Sequence, residues 1–317
     1  MQDERGLLDA LLSDGRFLLS LTGFVLALSG GFAIVQSVSG HFLPHDAEAL
    51  GFDAKHLAEV ANRRVVSFMF HDRVAFGGTL LAIGFAYWFL AEFPLRAREA
   101  WAWWTFCVSG VCGFLSFLSY LSYGYLDTWH GIATLCLLPV YLAGLWRARP
   151  PRIDPRDAWR SGPAASPGRW LLGFMAAGLV AAGATILIVG MTTVFVPQDL
   201  SFMGMTRTQI QGISPRLVPI IAHDRAGFGG GLFTTGIILL LMARHAALTK
   251  SLVQIVAWMG LAGFGAALGV HQAIGYTDAV HLAPAYLGCS LFAAMVIRLT
   301  WEYRRYARPA VARSKRK

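Results

Sequence analysis

The stretches "HDRVAFGG" (residues 71–78) and "HDRAGFGG" (223–230) each lead into a long apolar run. Hydrocarbon penalises His, Asp and Arg, so their repeated placement beside apolar runs points to polar sites inside a membrane protein. The two copies are not isolated. "FLPHDAEALGF" (42–52) answers "FVPQDLSFMGM" (195–205), "NRRVVSFMFHDR" (62–73) answers "SPRLVPIIAHDR" (214–225), and "GYLDTWH" (124–130) answers "GYTDAVH" (275–281). The offset drifts only between 153 and 151 residues, which marks an internal duplication.

Composition agrees with a membrane protein, because 56% of the 317 residues are hydrophobic, 14% are charged, and the apolar residues fall in blocks. A bilayer core takes roughly 20 apolar residues per helix. Eight segments qualify, at about 17–38, 71–91, 101–123, 128–146, 170–194, 221–243, 252–272 and 280–299. The expected fold is an all-α integral membrane protein of eight transmembrane helices, arranged as two four-helix bundles. Four helices per half is an even number, so the halves have one orientation, as in parallel transporter repeats. The expected organisation is a first repeat at 1–146, a Pro- and Arg-rich linker at 147–169, a second repeat at 170–300 and a basic tail at 301–317. No soluble catalytic domain fits beside them.

The net charge of +9 gathers after the second, fourth and sixth segments and in the tail "RRYARPAVARSKRK". The positive-inside rule places both termini in the cytoplasm of a protein of the inner (plasma) membrane. The basic excess is thereby topological, with the lipid bilayer as the partner and nucleic acid excluded. The four cysteines form neither a CxxC pair nor a secreted disulfide framework.

This topology puts His71, His130, His223 and His281 at one level near the outer face, two per half. Imidazole is the commonest metal ligand, and two histidines from facing helices can hold a haem iron from both sides. Gly78 and Gly230 lie seven residues below His71 and His223 on the same helix face, with Ala75 and Gly227 between, so a smooth trough beneath each histidine would suit a flat macrocycle. Small residues serve close helix packing equally well. Arg64 and Arg216 stand seven residues before the histidines, about 10 Å nearer the outer face, at the reach of haem propionates. Asp72 and Arg73, with Asp224 and Arg225, point off that face and read as a structural ion pair or a contact to the outer loop. Asp127 and Asp278, three residues before His130 and His281, are either metal ligands or helix caps, and the cap is favoured. His271 takes the place of Tyr120 in the first half, and it stands outside the expected core site with His41, His45 and His56.

This pattern resembles the haem A synthase family, on "HDR" (71–73 and 223–225), "WHG" (129–131) and "VHLA" (280–283). The resemblance implies axial pairs of His71 with His130 and of His223 with His281, each around a haem. The chain departs from the family in having Phe68 and Ile220 where a glutamate is expected, an Asp inserted between His and Arg, and no cysteine pair in the first outer loop. The expected cofactor is a non-covalent haem, b-type or related, since no CxxCH attachment site occurs. A quinone or other redox partner would accompany it, and the oligomeric state stays open. Two other functions compete: a non-haem metal site, enzymatic or not, and a transporter or proton-coupled channel built on the His-Asp-Arg clusters.

Overall fold

The computed structural model describes residues 14–118, 128–151, 156 and 165–307. The described residues are mostly helical, with no strand among them. α1 (Arg16–Val38) is followed by two short helices, α2 (Pro44–Leu50) and α3 (Ala54–Val60). Then come α4 (Arg63–Leu90), α5 (Ala100–Leu118) and α6 (Thr128–Arg147). The second half repeats the order with α7 (Pro167–Met191), short α8 (Pro197–Met203) and α9 (Arg207–Ile213), α10 (Leu217–His245), α11 (Lys250–Ile274) and α12 (Ala279–Glu302). Starts are set locally: side chains of Asn62, Ser166, Thr249 and Asp278 accept the first free amides of α4, α7, α11 and α12.

Six helical stretches are long and apolar enough to cross a membrane: Arg16–Val38, Arg63–Leu95, Pro167–Met191, Leu217–His245, Lys250–Ile274 and Ala279–Arg305. Two further apolar helices, Ala100–Ser116 and Gly131–Arg147, are shorter. The stretches containing α4 and α10 are largely buried, whereas the other four long ones are mostly uncovered, with side chains such as Phe24, Phe32, Phe174 and Leu287 exposed. An apolar exposed rim around a buried pair is the pattern expected where lipid replaces water outside.

α4 begins eight residues before His71, and α10 begins six before His223. The histidines expected at the heads of apolar runs therefore sit about two turns inside their helices. The segments assigned to the outer loops fold into α2 and α3, and into α8 and α9, whose Phe42, Leu50, Leu57, Met203 and Ile210 pack on Val65, Phe68, Leu217 and Ile220 of the central helices.

Packing crosses between the halves. α1 lies on α4 and α7 on α10, but α5 lies on α10 and α11 on α4, while α4 and α10 pack on each other. Glycines permit the closest of these approaches. Gly30 faces Gly77 and Gly23 faces Gly84 so tightly that a Cβ on Gly30 would stand 2.4 Å from the Gly77 carbonyl oxygen. Gly183 and Gly229 do the same between α7 and α10.

Candidate metal centre

The His-Asp-Arg motifs meet at the centre of the molecule. Arg73 Nη2 reaches Asp224 Oδ2 at 2.7 Å and Asp46 Oδ2 at 2.8 Å. Arg225 Nε reaches Asp72 Oδ2 at 3.2 Å, and its Nη1 binds Asp199. Under the repeat offset Arg73 becomes Arg225, Asp224 maps to Asp72, and Asp46 becomes Asp199, so one arrangement is built twice. Each arginine joins the other half's central helix to a short helix of its own half's outer segment. The expected ion pairs run across the halves, because adjacent Asp and Arg on one helix point to different faces, and the expected contacts to the outer segments are made through Asp46 and Asp199. None of these six side chains belongs to a residue more than 5% exposed.

Asp199 is tied on both carboxylate oxygens. Its Oδ2 accepts Val196 N at 2.8 Å besides Arg225, and its Oδ1 accepts the Tyr276 hydroxyl at 2.8 Å. Burial alone would raise its carboxyl, but the Arg225 charge and these donors outweigh burial and hold it below the ordinary carboxylate value. Burial, then the Asp199 charge, push the Tyr276 phenol well above its ordinary value.

Tyr276 leads to the histidines. Its ring stacks on Phe202 at 4.5 Å between centroids and on His281 at 4.4 Å. Beside His281 stand His271 and His71, and one ligand nitrogen from each of the three lies within 4.8 Å of the others. His271 Nε2 is 3.1 Å from His281 Nε2, and the His71 and His271 ring centroids are 4.5 Å apart. His71 Nδ1 faces the Phe68 carbonyl at 2.9 Å and His271 Nδ1 faces the Ala267 carbonyl at 2.6 Å. A carbonyl only accepts, so both Nδ1 atoms carry the hydrogen and both neutral rings keep a bare Nε2 lone pair. That second contact is how metal-binding histidines are commonly oriented.

His71 of the first half meets His281 and His271 of the second in a cross-half trio, because α11 packs on α4; the expected pairing of His71 with His130 falls on a side chain outside the described residues. His271, set aside at the sequence level, is a full member. Its signal was present in the 151-residue offset, where it replaces Tyr120, but a lone substitution does not reveal which helix it faces. His223 Nδ1 stands 3.1 Å from Asp224 Oδ1. His130 lies in the first turn of α6 with its side chain outside the described residues, as Asp127 is altogether. Asp278 is the cap, its Oδ1 accepting His281 N at 2.7 Å.

The residues expected to cradle a macrocycle are otherwise engaged. A Cβ on Gly78 would stand 2.5 Å from Ala266 Cβ, and one on Gly230 would stand 2.3 Å from Ser116 Cβ, so neighbouring helices fill both troughs. Arg64 Nη1 donates to the Phe202 carbonyl at 3.3 Å and Arg216 Nη1 to the Ala49 carbonyl at 2.8 Å. Ala49 and Phe202 are equivalent under the repeat, so each arginine ties down the outer segment of the opposite half.

Haem held between two imidazoles needs nitrogens about 4 Å apart with a flat slot between them. The 3.1 Å contact and the closed face at Gly78 do not supply that slot. A single tetrahedral ion with bonds near 2.0–2.1 Å spaces its nitrogens by about 3.3 Å, close to the separation of His271 and His281. Comparison of the chain with family models, with curated proteins and with solved structures finds no match.

Proposed function

We propose that the chain is a membrane metalloprotein that binds one first-row transition-metal ion through His71, His271 and His281. The observation carrying this reading is three buried or half-buried imidazoles converging from three helices, two with Nδ1–H fixed on helix carbonyls. Three protein ligands leave a fourth position for water or substrate, the arrangement of catalytic rather than structural sites. An ion bound there would act as a Lewis acid or activate a bound water. Tyr276 covers His281, and Asp199 holds Tyr276.

The haem-binding oxidoreductase implied by the resemblance to haem A synthases, with its quinone or redox partner, is the competing proposal. Purified protein separates the two. One equivalent of non-haem metal, lost in His271→Ala without a Soret band at any stage, supports the ion. A haem spectrum that persists in His271→Ala would end this proposal.

We further propose that all eight apolar helices cross the inner membrane as two parallel four-helix repeats, with α2, α3, α8 and α9 outside and both termini in the cytoplasm. The recurrence of each central contact under one sequence offset supports this arrangement. Impermeant maleimide should label Lys55→Cys and Thr208→Cys in intact cells of a cysteine-free variant, and leave Ala165→Cys unlabelled; the reverse result would refute the orientation.

A further inference from the structure

We infer that the three-histidine centre is electrostatically matched to a divalent cation, with Asp199 and Asp72 setting the preference from outside the ligand set; this rests on the metal-binding reading above. Three neutral imidazoles contribute no charge, so discrimination between ions of different charge comes from the groups around them. Arg225, Asp72 and Asp199 form the buried charged set joined to the centre through Tyr276 and the His71 helix, one positive charge against two negative. Asp199 holds the hydroxyl of Tyr276, whose ring stacks on His281 at 4.4 Å, Asp72 Oδ1 stands 3.7 Å from His71 Nδ1, and the Arg225 guanidinium lies over the Phe68 ring that flanks His71.

Asp199 is held in place on both oxygens, by Arg225 and Val196 N on one side and by the Tyr276 hydroxyl on the other. It acts through its field and not as a ligand. In a poorly screened interior the Coulomb energy scales with the charge of the ion, so a fixed negative excess favours a dication over a monocation on the same nitrogens. An open cleft of about 500 Å³ lies against Tyr276, lined by Gln198, Ser201, Thr277 and Asp278 with Pro197, Phe202 and Gly275.

The repeat supplies the control. Asp46 holds Arg73 as Asp199 holds Arg225, so Asp46→Asn removes an equivalent carboxylate from the other half. Zn²⁺ and Ag⁺ are the probes, titrated into the purified full chain in detergent as wild type, Asp199→Asn, Asp46→Asn and His271→Ala. Wild type is expected to bind Zn²⁺ more tightly than Ag⁺. Asp199→Asn should weaken Zn²⁺ about tenfold and Ag⁺ only about threefold, since doubling the ion's charge doubles the lost Coulomb energy. Asp46→Asn should leave the ratio of the two affinities unchanged. Tighter Ag⁺ than Zn²⁺ binding by wild type, or equal losses for both ions in Asp199→Asn, overturns the inference while the metal centre itself stands, provided His271→Ala abolishes binding. Absence of binding in wild type overturns both.

Discussion

Arg225 faces Asp72 and Asp199 in the interior, so removing its charge leaves two carboxylates in a medium that solvates them poorly. Arg225→Met should therefore cost about 3–5 kcal/mol, the usual range for breaking one partner out of a buried ion pair, measurable by unfolding in detergent. Loss of under 1 kcal/mol would mean that the pair is solvated. Asp199 adds a pH dependence whose sign follows from its lowered carboxyl. Its contribution is fully present above the ordinary value of 3.8 and is lost as pH falls through the lower folded value. Asp199→Asn should then flatten the acid limb of the stability curve below about pH 4, and an unchanged limb would assign it to other carboxylates. The importance of Asp72 and Arg225 was legible in the sequence, because charged groups beside apolar runs need a structural or chemical reason, whereas Asp199 stood unmarked inside a repeated stretch of the outer segment. Their partners were not. A repeat reveals which residues are equivalent, yet whether Arg225 meets Asp224 or Asp72 depends on how the halves dock.

Helices α1, α4, α7 and α10 owe their close approach to glycines whose absent side chains bring backbone against backbone. A Cβ on Gly183 would stand 2.3 Å from the Phe233 amide nitrogen, where no flexible side chain can yield. Gly183→Leu, or its repeat counterpart Gly30→Leu, should force the pair apart and destabilise by at least about 1–3 kcal/mol, whereas Gly178→Leu on the open face of α7 should be near neutral. Equal behaviour of the three variants would dismiss backbone contact as the cause. Long helices were legible because some 20 apolar residues can satisfy their backbone in lipid only as a helix. The seven-residue helices α2, α3, α8 and α9 were not, since each is too short to show a period and owes its place to packing on Phe68, Leu217 and Ile220. The glycines were seen as a trough below each histidine, but small residues fit a flat ligand and a neighbouring helix equally well, and only docking of α11 and α5 decides between them.

At the scale of the molecule the halves interlock. α5 of the first half lies on α10, α11 of the second lies on α4, and the three-histidine cluster takes His71 from one half and His271 and His281 from the other. Separation would strand Arg73 without Asp224 and Arg225 without Asp72, and it would uncover the faces of α4 and α10 that the opposite half now buries. Neither half on its own is a closed unit, although each carries a full copy of the repeat. Expressed separately, residues 1–156 and 157–317 should each fail to accumulate or to bind metal. Coexpressed, they should reassemble, because the cut falls between α6 and α7 and breaks no contact described above. Metal retained by the second half alone would show that His71 is dispensable to the centre, and two halves that accumulate independently would show that the cross-half ion pairs do not hold the fold together.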